Sequence, residues 1–442
     1  MPRWAKKDLT GWGRVLHAQS DVARPERAAE LESILRDTSS LLARGAGRSY
    51  GDAALNQGGR TVLMSRLDRF LGFDPVTGVL TAEAGVTFSD VITTFLPRGF
   101  MPPVVPGTGF ATLGGGVAND VHGKNHHQAG SFGQHVEWLD LRLPSGELRR
   151  VAPGTALFDA TIGGVGLTGI IERLALRLKR VPSNAVQVRK RRVRNLDDFL
   201  AAFEDEKDRS EYVVGWIDAL ATGQHLGRGI LEVASPSSHM LDASPKSPKR
   251  VPIDFPNFAL NPWSVRAFNW AYYRRVPSSG YEAPAPYQSF LFPLDALLDW
   301  NRIYGKRGFH QFQCVVPFES GREALTKMLD LISKSGRGSF LAVLKALGNA
   351  GTGLLSFPQP GYTLALDFPN APGAVGLIEQ LERIACDHGG RTYLAKDSTS
   401  SAENLRRMYP KLDQFQAVLQ EVDPQGRMNS DLARRLGLRG RA

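Results

Sequence analysis

The sequence predicts an α+β protein of two domains, and three observations lead there. The chain has 442 residues, where a typical domain has ~100–200. Its 46 glycines concentrate in three clusters within the first 170 residues, with short alternating segments between them. Near Val181 the texture changes: charge density rises and glycine thins out. A hydrophobic fraction of 42% supplies a substantial core, which excludes disorder throughout. No stretch approaches the ~18 uninterrupted apolar residues of a membrane span. The basic start MPRWAKKDLTGWGR has no apolar run behind it, so no secretory signal is expected.

Taken in order, the first glycine cluster is GAGRSYGDAALNQGG. VLTAEAG then alternates Leu80, Ala82 and Ala84 and reads as a strand. TFSDVITTF reads as a helix capped by Thr87, with Asp90 three positions on. The second cluster, GTGFATLGGGVANDVHGKNHH, precedes a strand at LDLRL and a PSGE turn. The third, IGGVGLTG, leads into ERLALRL, with Leu174, Leu176 and Leu178 on one strand face. Residues 234–263 are rich in Ser, Pro and Lys and are expected to form a mobile loop. Strands follow at FHQFQCVVPF and YTLALDF, and helices at REALTKMLDLISKS and GLIEQLERIACDHG. The tail is helical: Ser400 and Glu403 suggest a capping box, and Leu412, Phe415, Leu419 and Val422 recur at helical spacing.

Composition limits the function classes. Two cysteines, Cys314 and Cys386, with no CxxC pair, exclude a disulfide framework, a zinc ribbon and a redox dithiol. Lys and Arg outnumber Asp and Glu by 54 to 44, a net charge of +10. That excess suits an anionic partner or a solvated basic surface. It is spread along the chain without interleaved aromatics, which argues against a nucleic-acid-binding face.

GVGLTG is a literal GxGxxG, but a dinucleotide turn would open a helix and meet an acid ~20 residues on. Here a strand pattern follows and Arg189 stands near the acid's place, so a nicotinamide cofactor is rejected. Three long glycine loops, with Ser49, Asn119 and Thr168 as donors, instead suit a bulky anionic cofactor approached by bare backbone. His122, His126, His127 and His135 cluster with Asp120 as the nearby acid, but glycine and asparagine between them break a helical ligand array. No metal is expected there; the histidines line a polar pocket or serve backbone groups. Lys396 in YLAKDS would ordinarily be an exposed lysine, and Trp12 in LTGWGR a packing anchor.

The three glycine motifs resemble the PCMH-type FAD-binding half of the vanillyl-alcohol-oxidase superfamily. LTGWGR, HGKNHH, PLDALLDWNRIYGKRGFHQFQCVVP, YTLALDFP and YLAKDS narrow the resemblance to its decaprenylphosphoryl-β-D-ribose 2′-oxidase family, over essentially the whole chain. The resemblance implies a two-domain fold: residues 1–183 and 391–442 form the FAD domain, and 184–390 an antiparallel-sheet substrate domain. It places FAD on Gly45, Ala46, Gly47, Arg48, Ser49, Tyr50 and Asn56, on Gly107, Thr108, Leu113, Gly115, Asn119, Gly123 and His127, and on Ile162, Gly166 and Ile171. It places substrate against Tyr50, His122, Lys124, Gln311, Gln313, Lys345, Asn349 and Lys396, with Tyr287 over the mouth. Lys396, Tyr50 and His122 are the catalytic candidates: Lys396 for charge at the flavin or substrate oxygen, Tyr50 for the proton.

The implied reaction is oxidation of the ribose 2′-hydroxyl of polyprenylphosphoryl-β-D-ribose to the 2′-ketone. A separate NAD(P)H-dependent reductase would complete the epimerisation to an arabinose donor for cell-wall polysaccharide. Quinone or oxygen would take the electrons. The alternative within the superfamily is an alditol or sugar-lactone oxidase; outside it stands a metal hydrolase on the histidines. A cytoplasmic enzyme peripheral to an anionic inner-membrane surface is expected, and no nucleic-acid partner. Two departures matter. GAGRSYG carries Arg48 where covalent flavoproteins of the superfamily carry an attachment histidine, which implies non-covalent FAD. Ala365 stands where the best-known close members have a cysteine.

Overall fold

The computed structural model describes residues 3–36, 38–241, 247–338 and 340–440. Near the N-terminus, Ala5–Thr10, His17–Ala23, Arg60–Leu63 and Leu41–Arg44 form a mixed four-stranded sheet in that spatial order. A five-stranded antiparallel sheet follows, ordered Phe70–Asp74, Val79–Glu83, Ile170–Arg177, Val136–Arg142, Leu148–Val151. Its central strand buries Leu174, Ala175 and Leu176 in succession, so both of its faces are covered. The GVGLTG turn feeds directly into this strand, and Arg189 lies in the later strand Ala185–Val193. Helix Phe88–Phe95 begins with the Thr87–Asp90 capping box that the sequence announces.

The third sheet has eight antiparallel strands in the order Tyr281–Pro286, Ala185–Val193, Gly229–Pro236, Tyr212–Ile217, Ala342–Leu347, Gly361–Pro369, Phe309–Val316, Arg391–Thr392. Strand alternation gives it two unlike faces. Phe312, Cys314, Leu364 and Leu366 pack against helices Leu196–Glu206, Phe318–Ser335 and Ala374–Asp387. Helix Phe318–Ser335 serves this core because Leu325, Met328, Leu329 and Ile332 share one helical face.

The tail folds back as helices Ala402–Met408, Leu412–Val422 and Asp431–Leu436. Leu405, Leu412, Phe415 and Leu419 enter the same core as Leu80, Phe88 and Leu139. The expected Ser400–Glu403 capping box does not form, and the cap falls one residue later. Ser400 is engaged by Glu382 and Asp397, so Ser401 caps the helix by accepting from the Asn404 N–H at 3.2 Å. The stretch 234–263 contains more structure than its composition suggests. Ala234 to Pro236 complete a strand, Lys249–Arg250 pairs with Leu297–Leu298, and Asn261 caps helix Pro262–Arg274. Residues 242–246 of that expected loop lie outside the described residues.

Candidate active site

A cavity of about 580 Å³ lies between the glycine loops and the polar face of the eight-stranded sheet. On the loop side it is lined by Gly45, Ala46, Gly47, Arg48, Ser49, Tyr50, Gly107, Thr108, Gly115, Asn119, Gly123, Gly166 and Ile171. A Cβ built on Gly107 or Gly166 meets no atom within 4 Å, so side chains there would project into the open cradle. Gly166 also has φ +78°, a conformation that glycine takes without strain. The buried Nε of Arg48, Oδ1 of Asn119 and Nδ1 of His122 have no partner among the described residues. Buried polar atoms are ordinarily satisfied, so this wall fits a large polar cofactor that supplies the missing partners.

The opposite wall follows from strand register. Gln311 pairs with Asp367, Gln313 and Val343 with Ala365, and Lys345 with Thr363. A period of two puts these residues on the face away from the helices. Gln313 Nε2 donates to His122 Nε2 at 2.9 Å, which leaves the imidazole proton on the partnerless Nδ1. Burial, reinforced by the Lys345 charge, holds the His122 pKa well below the usual range, so the ring is neutral. Gln311 donates to Asp367 Oδ1 at 2.5 Å and Tyr304 donates to Oδ2 at 2.9 Å. Burial pushes the Asp367 pKa up to about 7. Sequence reasoning missed Asp367, although the alternation Thr363, Ala365, Asp367 within YTLALDF contained the signal.

Lys396 joins the walls. Its turn is fixed by Tyr393 N–H donating to Gln313 O at 2.9 Å and Tyr50 N–H donating to Ala395 O at 3.0 Å. Its ammonium lies 3.6 Å from the Tyr50 ring centroid. From the tail, Arg435 reaches both Asp52 at 2.7 Å and Asp397 at 2.8 Å, clamping the first glycine loop to the Lys396 turn. Burial lowers the Lys396 pKa to about 7, opposed by Asp367 and assisted by Lys345. Lys124 and Lys345 also line the cavity, and burial lowers each to about 8. None of these three lysines has an ion-pair partner among the described residues. Burial, with Asp367 nearby, pushes the Tyr50 phenol well above its usual range. The phenol is therefore held protonated, which weighs against the proton-acceptor role foreseen from sequence.

Six expected site residues are not on the cavity wall. Asn56 is fully buried and serves Arg60, Ser40 and Arg434. Leu113 and Ile162 are core side chains. His127 bonds Ser210 O at 3.1 Å. Tyr287 is buried against Tyr212 instead of covering the mouth, and Asn349 is exposed on a loop. The remaining clustered histidines serve backbone groups: His126 accepts from Gly348 N–H at 3.0 Å and His135 bonds Ala129 O at 2.8 Å. Asp120 accepts from Ser131, Gly133 and Ser356. Trp12 packs edge-on against Trp300 and lies under the Arg48 guanidinium, 4.2 Å from its ring. The wall also includes Trp216, Glu232, Arg250, Tyr272 and Asp295, which the sequence reading did not single out. Asp295 accepts from the Thr108 hydroxyl and Gly109 N–H, both at 2.7 Å, and ties the second glycine loop to the far side of the cavity.

Comparison with known proteins gives this geometry a context. The family described as FAD binding domain matches residues 20–152, and the family described as D-arabinono-1,4-lactone oxidase matches 371–436. The chain is 36% identical to a decaprenylphosphoryl-beta-D-ribose oxidase of Mycolicibacterium smegmatis, over 98% of each chain. It is 22% identical to an L-gulono-1,4-lactone dehydrogenase of Mycobacterium tuberculosis, over 96% of this chain and 97% of the relative. An alditol oxidase of a Streptomyces species is 25% identical, over 97% and 98% respectively.

Proposed function

Since the chain belongs to the family of decaprenylphosphoryl-β-D-ribose oxidases, we propose that it oxidises the ribose 2′-hydroxyl of a polyprenylphosphoryl-β-D-ribose to the 2′-ketone. The protein is an FAD-dependent oxidoreductase with a PCMH-type α+β fold. The observation that carries the reading is the cavity itself, where a glycine wall meets three lysines without an ion-pair partner among the described residues. Free polyols and lactones bring no anion to such a wall, whereas a phosphodiester does.

On this reading Gly45, Gly47, Gly107 and Gly166 admit FAD, and Arg48, Asn119 and His122 supply polar contacts to cofactor or substrate. Bound FAD supplies the acceptor for the hydride leaving C2′. Lys396, neutral above its lowered pKa of about 7, takes the hydroxyl proton, and the resulting ammonium offsets negative charge developing in the site. Tyr50 and Gln311 orient the substrate oxygen. Lys124 and Lys345 hold the phosphodiester. Residues 1–183 with 391–442 act as the cofactor domain and 184–390 as the substrate domain. The electrons pass to quinone or oxygen, a separate reductase completes the epimerisation, and the enzyme works against a membrane surface. No described helix is long and apolar enough to cross a membrane.

Anaerobic incubation with one equivalent of substrate tests the reaction. The product should have lost two hydrogens, and borohydride should reduce it to a mixture of ribo and arabino lipids. Unchanged lipid beside fully oxidised flavin would refute the proposal. With Arg48 at the attachment position, acid should release the flavin into the supernatant; flavin precipitating with the protein would refute non-covalent binding.

A further inference from the structure

Large apolar side chains are exposed unusually densely in one region. Ile253, Phe258 and Trp263 are 66%, 78% and 79% exposed, and Phe268 and Trp270 are 43% and 50% exposed. Helix Pro262–Arg274 accounts for the pattern. Val265 and Asn269 point into the protein, while Trp263, Ala267, Trp270 and Arg274 recur at the spacing of one outward face. Isolated surface hydrophobics need no explanation, but a contiguous aromatic ridge does.

The charge around the ridge is one-sided. Between residues 247 and 281 stand Lys249, Arg250, Arg266, Arg274 and Arg275, against the single acid Asp254, which is already held by Arg14 and Arg302. Arg250 pairs with Asp299 and Arg275 approaches Glu232, so Lys249, Arg266 and Arg274 carry the excess. The Arg274 guanidinium lies 4.3 Å from the Trp270 ring centroid. Tryptophan beside arginine on an exposed helix face is the composition of a surface resting at lipid headgroup level.

The ridge also connects to the cavity. Phe268 stacks on Tyr272 at 5.5 Å, Tyr272 packs on Trp216 at 4.6 Å, and both Tyr272 and Trp216 line the cavity. Arg250 belongs to the cavity lining yet is exposed, so the cavity opens on this side. We propose that helix Pro262–Arg274, with Phe258 held beside its Asn261 cap, is the surface that docks on an anionic bilayer, with Trp263 and Trp270 seated among the headgroups. A substrate whose tail stays in the bilayer then reaches the cavity along the Phe268–Tyr272–Trp216 path. This rests on the lipid-linked substrate proposed above.

The FAD-loaded enzyme should co-sediment with vesicles of phosphatidylcholine containing about a quarter phosphatidylglycerol, and more weakly with phosphatidylcholine alone. Replacing Trp263→Ser and Trp270→Ser together should reduce vesicle partitioning roughly tenfold or more, since binding follows buried apolar area. FAD content and flavin bleaching by a short-chain, water-soluble polyprenylphosphoryl ribose should stay at wild-type levels. Unchanged partitioning of the double variant would overturn the proposal. So would a lipid-free dimer that the double variant dissociates, because the ridge would then be a self-association face. Failure of the soluble analogue to bleach the wild-type enzyme would instead break the proposed reaction, a separate readout from sedimentation.

Discussion

The two walls of the cavity are built by different means. The loop wall works largely through main chain: Gly107 and Gly166 leave space toward the cavity, while Gly45 and Gly47 let the backbone pass close to Thr112 and Arg44. The sheet wall and the adjoining Lys396 turn work through side chains, with Lys345 and Lys396 on the cavity and Asp367 behind Gln311. Burial shifts the pKa of each of these last three toward neutrality. On the proposed reading, one wall mainly holds the cofactor and the other mainly changes protonation beside it. Damage to the first should cost FAD, and damage to the second should cost turnover with FAD retained.

The largest expected effect separates those outcomes. Lys396→Met keeps most of the aliphatic stem and removes the amine; single-turnover flavin bleaching should slow by roughly 10²–10³-fold at full FAD occupancy. FAD lost in proportion to activity would move Lys396 to the cofactor wall. Next is the clamp between the walls. Arg435→Met leaves the buried carboxylates of Asp52 and Asp397 unpaired, with side chains only 6% and 5% exposed. It should destabilise the protein by about 3 kcal/mol in denaturant titration, and an unchanged midpoint would show that the clamp is dispensable.

A smaller effect is expected from Gly107→Val, which fills open cradle without backbone strain. FAD should bind roughly tenfold more weakly while the folded protein persists, as overpacking costs on the order of 1–3 kcal/mol. Equal FAD affinity would place the cofactor elsewhere. Among pH effects, the sign follows from Lys396: its pKa is lowered to about 7, so the acceptor form is lost in acid. The bleaching rate should fall about tenfold per pH unit below that point. Lys345→Met removes a neighbouring charge that depresses Lys396, so the inflection should move to higher pH. Ala365→Cys is expected to be the mildest change, because Ala365 lines the cavity but carries no polar group; less than a twofold loss is anticipated.

The loop wall was more legible in the sequence for a physical reason. Glycine clusters act locally, so GAGRSYG and GTGFATLGGG announced themselves within a few residues. Asn56, Leu113 and Ile162 lie in or near the same motifs, yet their side chains turn into the core, and motif proximity alone does not reveal direction. The sheet wall draws on Gln311, Lys345, Asp367 and Lys396, which meet only through cross-strand register. Asp367 was overlooked for that reason. Within residues 234–263, composition could not show the Lys249–Arg250 pairing because the strand partner Leu297–Leu298 is remote in sequence. Tyr287 read as a lid but is held in the core beside Tyr212.

The central claim is that this cavity accepts a phosphate-linked pentose in front of FAD. Anaerobic bleaching of the wild-type flavin by polyprenylphosphoryl ribose, beside xylitol and L-gulono-1,4-lactone at equal concentration, tests it most directly. The account predicts rapid bleaching by the lipid-linked ribose and none by the polyol or the lactone. Bleaching by either small molecule with the lipid-linked ribose inert would contradict it.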